Sequence, residues 1–149
     1  MASALIIYGS STGNTKKASE LVEDVLLQKG FAVTIKDVVN AKVSDLSGEY
    51  DAIFLGCSTW GAIEDEVQED FLPLYEGMDG ISLDGKRLAV FGSGDTGYAA
   101  FCKAVDAIEE KVRERGGALL VESLKIDGKP DWAEEDIRKW VQRAVAKIS

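Results

Sequence analysis

The chain has 149 residues, room for a single domain spanning 1–149 with a core that needs no disulfide or metal to hold it. Seventeen bases against twenty-six acids give a net charge of −9, which disfavours nucleic acid and anionic membranes, because both bind basic surface. Histidine is absent, so Ser–His and Cys–His nucleophile pairs, His-ligated zinc and imidazole acid–base chemistry are excluded.

Cys57 and Cys102 are too few for a zinc cluster or a disulfide framework and read as two reduced thiols. No apolar run approaches the ~20 residues that cross a bilayer. Met1-Ala2-Ser3-Ala4 lacks the basic region and cleavage site of a secretory signal, so the expected location is cytoplasmic.

In chain order, Ala4–Tyr8 is a continuous apolar run closed by Gly9. A helix follows, in which Ala18, Leu21, Val22, Val25 and Leu26 recur at spacings of three and four, with Gly30 suited to its C-terminal cap. Phe31–Ile35 alternates like a strand near a sheet edge. Ala52–Cys57 is a second continuous run, followed by a less regular helix expected over about 65–75 with Val67, Phe71, Leu72 and Leu74 as its apolar side. Leu88–Gly92 is the third run. The next helix carries Phe101, Ala104, Val105, Ile108 and Val112, and Gly116-Gly117 closes it. Leu119–Ile126 reads as an edge strand. Asp131 and Glu134, after Pro130, resemble a capping box for a last helix striped by Ile137, Trp140, Val141, Ala144, Val145 and Ile148. Trp132 and Trp140 read as packing residues of that helix.

Continuous apolar runs fit strands covered on both faces, as in the middle of a parallel sheet. Strand and helix alternate throughout, which predicts a three-layer doubly wound α/β domain with right-handed crossovers. Ligands bind such sheets at the carboxyl ends of the strands, beside the topological switch point. The loops after Tyr8, Cys57 and Phe91 are therefore the candidate site.

The first of these loops, Gly9-Ser10-Ser11-Thr12-Gly13-Asn14-Thr15, crowds hydroxyls, an amide and glycine at a helix N-terminus. Free N–H groups and the positive end of the dipole suit a phosphate there. An ordinary N-cap needs only one or two such residues. Neither the P-loop nor the G-x-G-x-x-G fingerprint is present. The second loop, Ser58-Thr59-Trp60-Gly61, sets a tryptophan beside glycine; its ring either folds back onto the core or stacks on a flat conjugated ligand. The third, running from Gly92 through Ser93, Gly94 and Asp95 to Tyr98 and Cys102, reads alone as a turn.

The run from Ile6 to Thr15 resembles the phosphate-binding signature of the flavodoxins, and the resemblance extends along the whole chain. Its length, and the lack of an inserted loop in the last strand, resemble the short-chain bacterial members. The resemblance implies a five-stranded parallel sheet of order 2-1-3-4-5 with helices on both faces, and FMN at the switch point between the first and third strands. It implies cofactor-binding residues Ser10, Ser11, Thr12, Gly13, Asn14 and Thr15 in the first loop and Ser58, Thr59, Trp60 and Gly61 in the second. In the third they are Ser93, Gly94, Asp95, Tyr98 and Cys102. Within that scheme Ser58 joins the phosphate site, and Trp60 and Tyr98 flank the two flavin faces. The Gly61 carbonyl turns toward flavin N5–H in the semiquinone. Backbone groups around Ser93, Gly94, Asp95 and Cys102 meet the pyrimidine edge. Ser19 departs from the alanine usual in the family's first helix; both side chains are small.

The implied activity is low-potential one-electron transport, with non-covalent FMN cycling between semiquinone and hydroquinone and no catalytic residue or metal of the protein's own. Burial of the reduced anion between two rings makes it a strong reductant. The alternative is an FMN-dependent NAD(P)H:quinone reductase on the same fold, which needs room for a second substrate. A receiver domain is excluded, because Gly9-Ser10 and Cys57-Ser58-Thr59 stand where it requires acids. The implied partners are redox proteins with basic docking faces (cytochromes, flavin or iron–sulfur oxidoreductases), met by a monomer. Residues 43–85 hold eleven acids and no base, which leaves seventeen bases against fifteen acids, +2, elsewhere. That stretch is either a solvated acidic face or a docking face whose steering weakens as salt rises.

Overall fold

The three continuous apolar runs lie side by side in the middle of one parallel sheet. In the computed structural model, which describes residues 2–9, 13–58, 71–94, 103–127 and 133–148, they form β1 (Ser3–Gly9), β3 (Ala52–Ser58) and β4 (Arg87–Gly94). β2 (Ala32–Asp37) pairs outside β1, and β5 (Ala118–Leu119) and β6 (Leu124–Asp127) both pair outside β4, giving the order β2-β1-β3-β4-β5. The helices are α1 (Asn14–Gln28), α2 (Leu72–Gly77), α3 (Lys103–Glu114) and α4 (Glu134–Ala146).

Alternation in the strands explains why those runs are apolar throughout. Leu5, Ile7, Ile53, Leu55, Leu88 and Val90 face one cluster, which holds Leu74 of α2 and Ala104, Val105, Ile108 and Val112 of α3. Ala4, Ile6, Phe54, Ala89 and Phe91 face the other, which holds Ala18, Val22 and Val25 of α1 and Ile137, Trp140 and Val141 of α4. Both faces are therefore dry, as a parallel sheet between helix layers requires. Trp140 is fully buried and meets Phe54 and Phe91 edge-on, at centroid distances of 5.9 and 5.8 Å.

Two helices end as the sequence predicts. After α1, Phe31 N donates to Leu26 O and Gly30 N to Leu27 O; after α3, Gly117 N donates to Val112 O and Gly116 N to Arg113 O. Both closures are Schellman motifs. The helix expected over about 65–75 is described as Leu72–Gly77, ending two residues later than expected, and residues 59–70 lie outside the described set. Phe71, Leu74 and Met78 are its buried side. The last helix begins at Glu134 with Ala133 in the N-cap position and no side-chain cap; Asp131, like Trp132, lies outside the described residues. Glu134, Glu135 and Asp136 in its first turn oppose the dipole instead.

The edge strand expected over Leu119–Ile126 is broken. Leu88 faces Leu119 and Phe91 faces Leu124, so two residues of β4 stand against four on the outer strand. The two extra residues form a bulge, a common device at sheet edges. Neighbouring helices hold it out: Trp140 Nε1 donates to Glu122 O at 2.7 Å, and Arg143 donates to the Glu122 carboxylate at 2.6 Å. Ser123 Oγ donates to Glu109 Oε1 at 2.6 Å.

Candidate functional site

The order β2-β1-β3 puts the switch point between β1 and β3, and their carboxyl ends finish level with that of β4. Gly9 faces Cys57, Cys57 faces Gly92, and Ser58 faces Ser93. The three predicted loops thus leave the sheet from adjacent strands at one end. Glycine makes the close packing there possible: a Cβ at Gly92 would meet the Cys57 carbonyl oxygen and the Val105 side chain. Cys57 itself is a buried thiol.

α1 starts beside these strand ends. Gly13, its N-cap residue, has φ 90° and ψ −11°, in the left-handed region that disfavours a Cβ. That turn aims the helix N-terminus at the strand ends, and Gly13 O accepts from Lys17 N at 3.0 Å. The first turn carries no acid and no side-chain cap at the N-cap position, so the positive end of the dipole meets no carboxylate of its own helix.

Two predicted residues meet side chain to side chain. Thr15, fully buried in the first turn of α1, and Ser93, buried near the end of β4, place their hydroxyl oxygens 2.8 Å apart. Ser19, one turn on and also buried, donates from Oγ to Thr15 O at 2.9 Å. Asn14 is half-buried in the same turn. At the end of β1, burial first and then the charges of Asp37 and Glu20 push the Tyr8 phenol above its ordinary pKa, so it stays protonated.

Gly13, Asn14, Thr15 and Ser93 are therefore brought to one end of the sheet, with Ser58 and Gly94 placed there by their backbone. Ser10, Ser11, Thr12, Thr59, Trp60, Gly61, Asp95, Tyr98 and Cys102 lie outside the described residues. Sequence reasoning missed the Thr15–Ser93 contact and the part played by Ser19. The hydroxyl at position 19 was the signal for the second; nothing in a linear pattern joins residues 78 apart.

Among the described residues, the acids of the 43–85 stretch do not lie in one place. Asp51 Oδ2 accepts from Ser3 N at 2.7 Å, at the starting ends of β1 and β3, and Asp84 precedes β4 at the same end. Asp79 pairs with the buried Lys111 at 2.6 Å. Glu64, Asp65, Glu66, Glu69 and Asp70 lie outside the described residues. A separate open cleft of about 630 Å³ lies beside β5, lined by Arg113, Leu119, Val121, Glu122, Arg143 and Lys147 among others. It is at the opposite end of the sheet from the switch point. Among the described residues no His, Cys, Asp or Glu cluster could hold a metal ion, and no helix is long and apolar enough to cross a membrane.

Fold and site together define a doubly wound α/β domain with an acid-free helix N-terminus at its switch point. Comparison with known proteins makes the class specific. The family profile described as "Flavodoxin" matches residues 6–140. A flavodoxin of Maridesulfovibrio salexigens is 45% identical over 148 residues, covering 99% of this chain and 100% of that protein. One from Nitratidesulfovibrio vulgaris is 41% identical over the same coverage. The crystal structure of oxidised Flavodoxin 1 from Bacillus cereus superposes with a TM-score of 0.92 at 34% identity, over 99% of this chain and 100% of that one. This chain belongs to the flavodoxin family.

Proposed function

We propose that this protein is a one-electron carrier that binds FMN non-covalently at the carboxyl ends of β1, β3 and β4, with residues 1–149 acting as one FMN-binding domain. The observation that carries the reading is the entrance to α1: a left-handed glycine, a first turn without acids, and a buried threonine hydroxyl bonded to the end of β4. A helix N-terminus free of acids fits a phosphate dianion, which offers acceptors only. FMN, when bound, supplies the redox chemistry, taking up and releasing electrons one at a time.

Every other task falls to the chain. Ser10, Ser11, Thr12, Gly13, Asn14 and Thr15 hold the phosphate together with Ser58, and Thr59 belongs to the same cofactor site. Trp60 and Tyr98 cover the ring faces and exclude water. Gly61, Ser93, Gly94, Asp95 and Cys102 offer backbone groups to the ring edge. Flavodoxins are carriers rather than substrate-turnover enzymes, and family membership favours that reading over an NAD(P)H:quinone reductase. The partners are redox proteins with basic docking faces. The chain works as a cytoplasmic monomer; the buried Cys57 thiol accords with a reducing compartment.

The test is a titration of FMN into the flavin-free protein, followed by quenching of flavin fluorescence. Saturation at one FMN per chain is expected. Flavin fluorescence that stays unquenched at equimolar micromolar concentrations would refute the reading.

A further inference from the structure

The Thr15–Ser93 contact joins the helix that receives the phosphate to the strand that leads into the third loop. Both side chains are buried, at 0% and 4% exposure, and the oxygens are 2.8 Å apart. Each hydroxyl owns one proton and two acceptor lone pairs, so the bond can be made in two ways. If Thr15 donates to Ser93, its only proton is committed and it turns lone pairs toward anything else it meets. If Ser93 donates to Thr15, Thr15 directs its own proton to an acceptor other than Ser93. A phosphate dianion carries acceptors alone and repels the first arrangement.

We infer that Ser93 is a positioning residue whose Oγ–H donates to Thr15 Oγ1 and so directs the Thr15 hydroxyl proton to the phosphate. The inference rests on the FMN reading above. It assigns the Ser93 side chain a task distinct from the backbone contact expected of that residue. The Thr15 backbone is fixed independently, since its carbonyl accepts from Ser19 Oγ at 2.9 Å. Ser93 therefore governs the rotation of the Thr15 hydroxyl rather than the course of the helix. A hydrogen bond to a charged acceptor is among the stronger kind, so misdirecting it has a measurable effect on affinity.

The discriminating ligand is riboflavin, which has the same ring system and no phosphate. Ser93→Ala is expected to weaken FMN binding about tenfold, equivalent to about 1.4 kcal/mol. Riboflavin binding should change less than about twofold, and the urea midpoint of the flavin-free protein gives a separate reading of the fold. In a Thr15→Val background the Ser93→Ala change should have no further effect on FMN, because the group it directs is gone. Ser93→Thr and Ser93→Val share a shape and differ in the hydroxyl; the first should keep the preference for FMN over riboflavin and the second should lose it. This pair decides the matter if Ser93→Ala does not fold. Equal losses for FMN and riboflavin, or an unchanged preference in both Ser93→Ala and Ser93→Val, would overturn the inference alone. Failure of the unmodified protein to bind FMN would overturn the reading on which it rests.

Discussion

Gly13 and Gly80 make a matched pair for testing what shapes the site. An ideal Cβ at either position has no atom within 4 Å, so alanine meets no clash at either. They differ in backbone: Gly13 sits at φ +90°, while Gly80 closes a single-turn 3-10 helix over Met78–Gly80 outside the left-handed region. For an L-residue the left-handed conformation costs about 1–2 kcal/mol. Gly13→Ala should therefore destabilise the flavin-free protein by about that amount. Gly80→Ala should be neutral or stabilising by up to about 1 kcal/mol, because alanine restricts the unfolded chain. With a urea slope of about 2 kcal/mol per molar, the Gly13 variant's midpoint falls by roughly 0.5–1 M. Gly13→Asn should recover part of the loss, since asparagine tolerates the left-handed region. Equilibrium urea unfolding followed by circular dichroism measures all three. Equal midpoints for Gly13→Ala and Gly80→Ala would refute the argument that backbone conformation at the α1 entrance, rather than space, demands glycine.

Three further outcomes follow from other contacts. Trp140→Phe removes the donor to Glu122 O and leaves a small void in the core, at about 1 kcal/mol each; thermal unfolding should show about 2 kcal/mol lost, and an unchanged midpoint would mean the bulge does not need the indole. Gly92→Ala drives a methyl into the Cys57 carbonyl, which cannot swing aside, so it should cost more than about 2 kcal/mol in the same assay. Asp45 accepts from Lys42 N at 2.9 Å and pairs with Lys36 at 3.2 Å, and the Lys42 N–H above all holds its carboxyl below the ordinary value. A depressed carboxylate stabilises the fold above its unfolded value, about 3.9, and loses that contribution as pH falls through the folded value. Asp45→Ala should therefore cost about 1 kcal/mol at neutral pH, with the difference narrowing below about pH 4; a gap independent of pH would contradict this.

What could be read from the sequence was whatever repeats along it. The dry middle of the sheet was legible because Ala4–Tyr8, Ala52–Cys57 and Leu88–Phe91 are apolar at consecutive positions, and only a strand covered on both faces needs that. Glycines at 30 and 116 announced helix ends for an equally local reason. The break between β5 and β6 was not legible: Leu119, Leu120, Val121 and Leu124 read on without a glycine or proline, and the bulge depends on an indole N–H eighteen residues away. The start of α4 misled because acids sit in its first turn without a capping side chain. At the site, the loop compositions marked the right end of the sheet. The contact between Thr15 and Ser93 was hidden, since each hydroxyl has a sufficient local explanation until the fold brings them together.

A chain that uses FMN to move single electrons passes through a half-reduced state. Anaerobic reduction of the FMN-loaded protein with limiting dithionite, followed by visible absorption, tests it most directly. Two resolved one-electron steps are expected, with no consumption of NADH or NADPH in the presence of a quinone. Reduction in a single two-electron step, or brisk turnover with pyridine nucleotide and quinone, would contradict it.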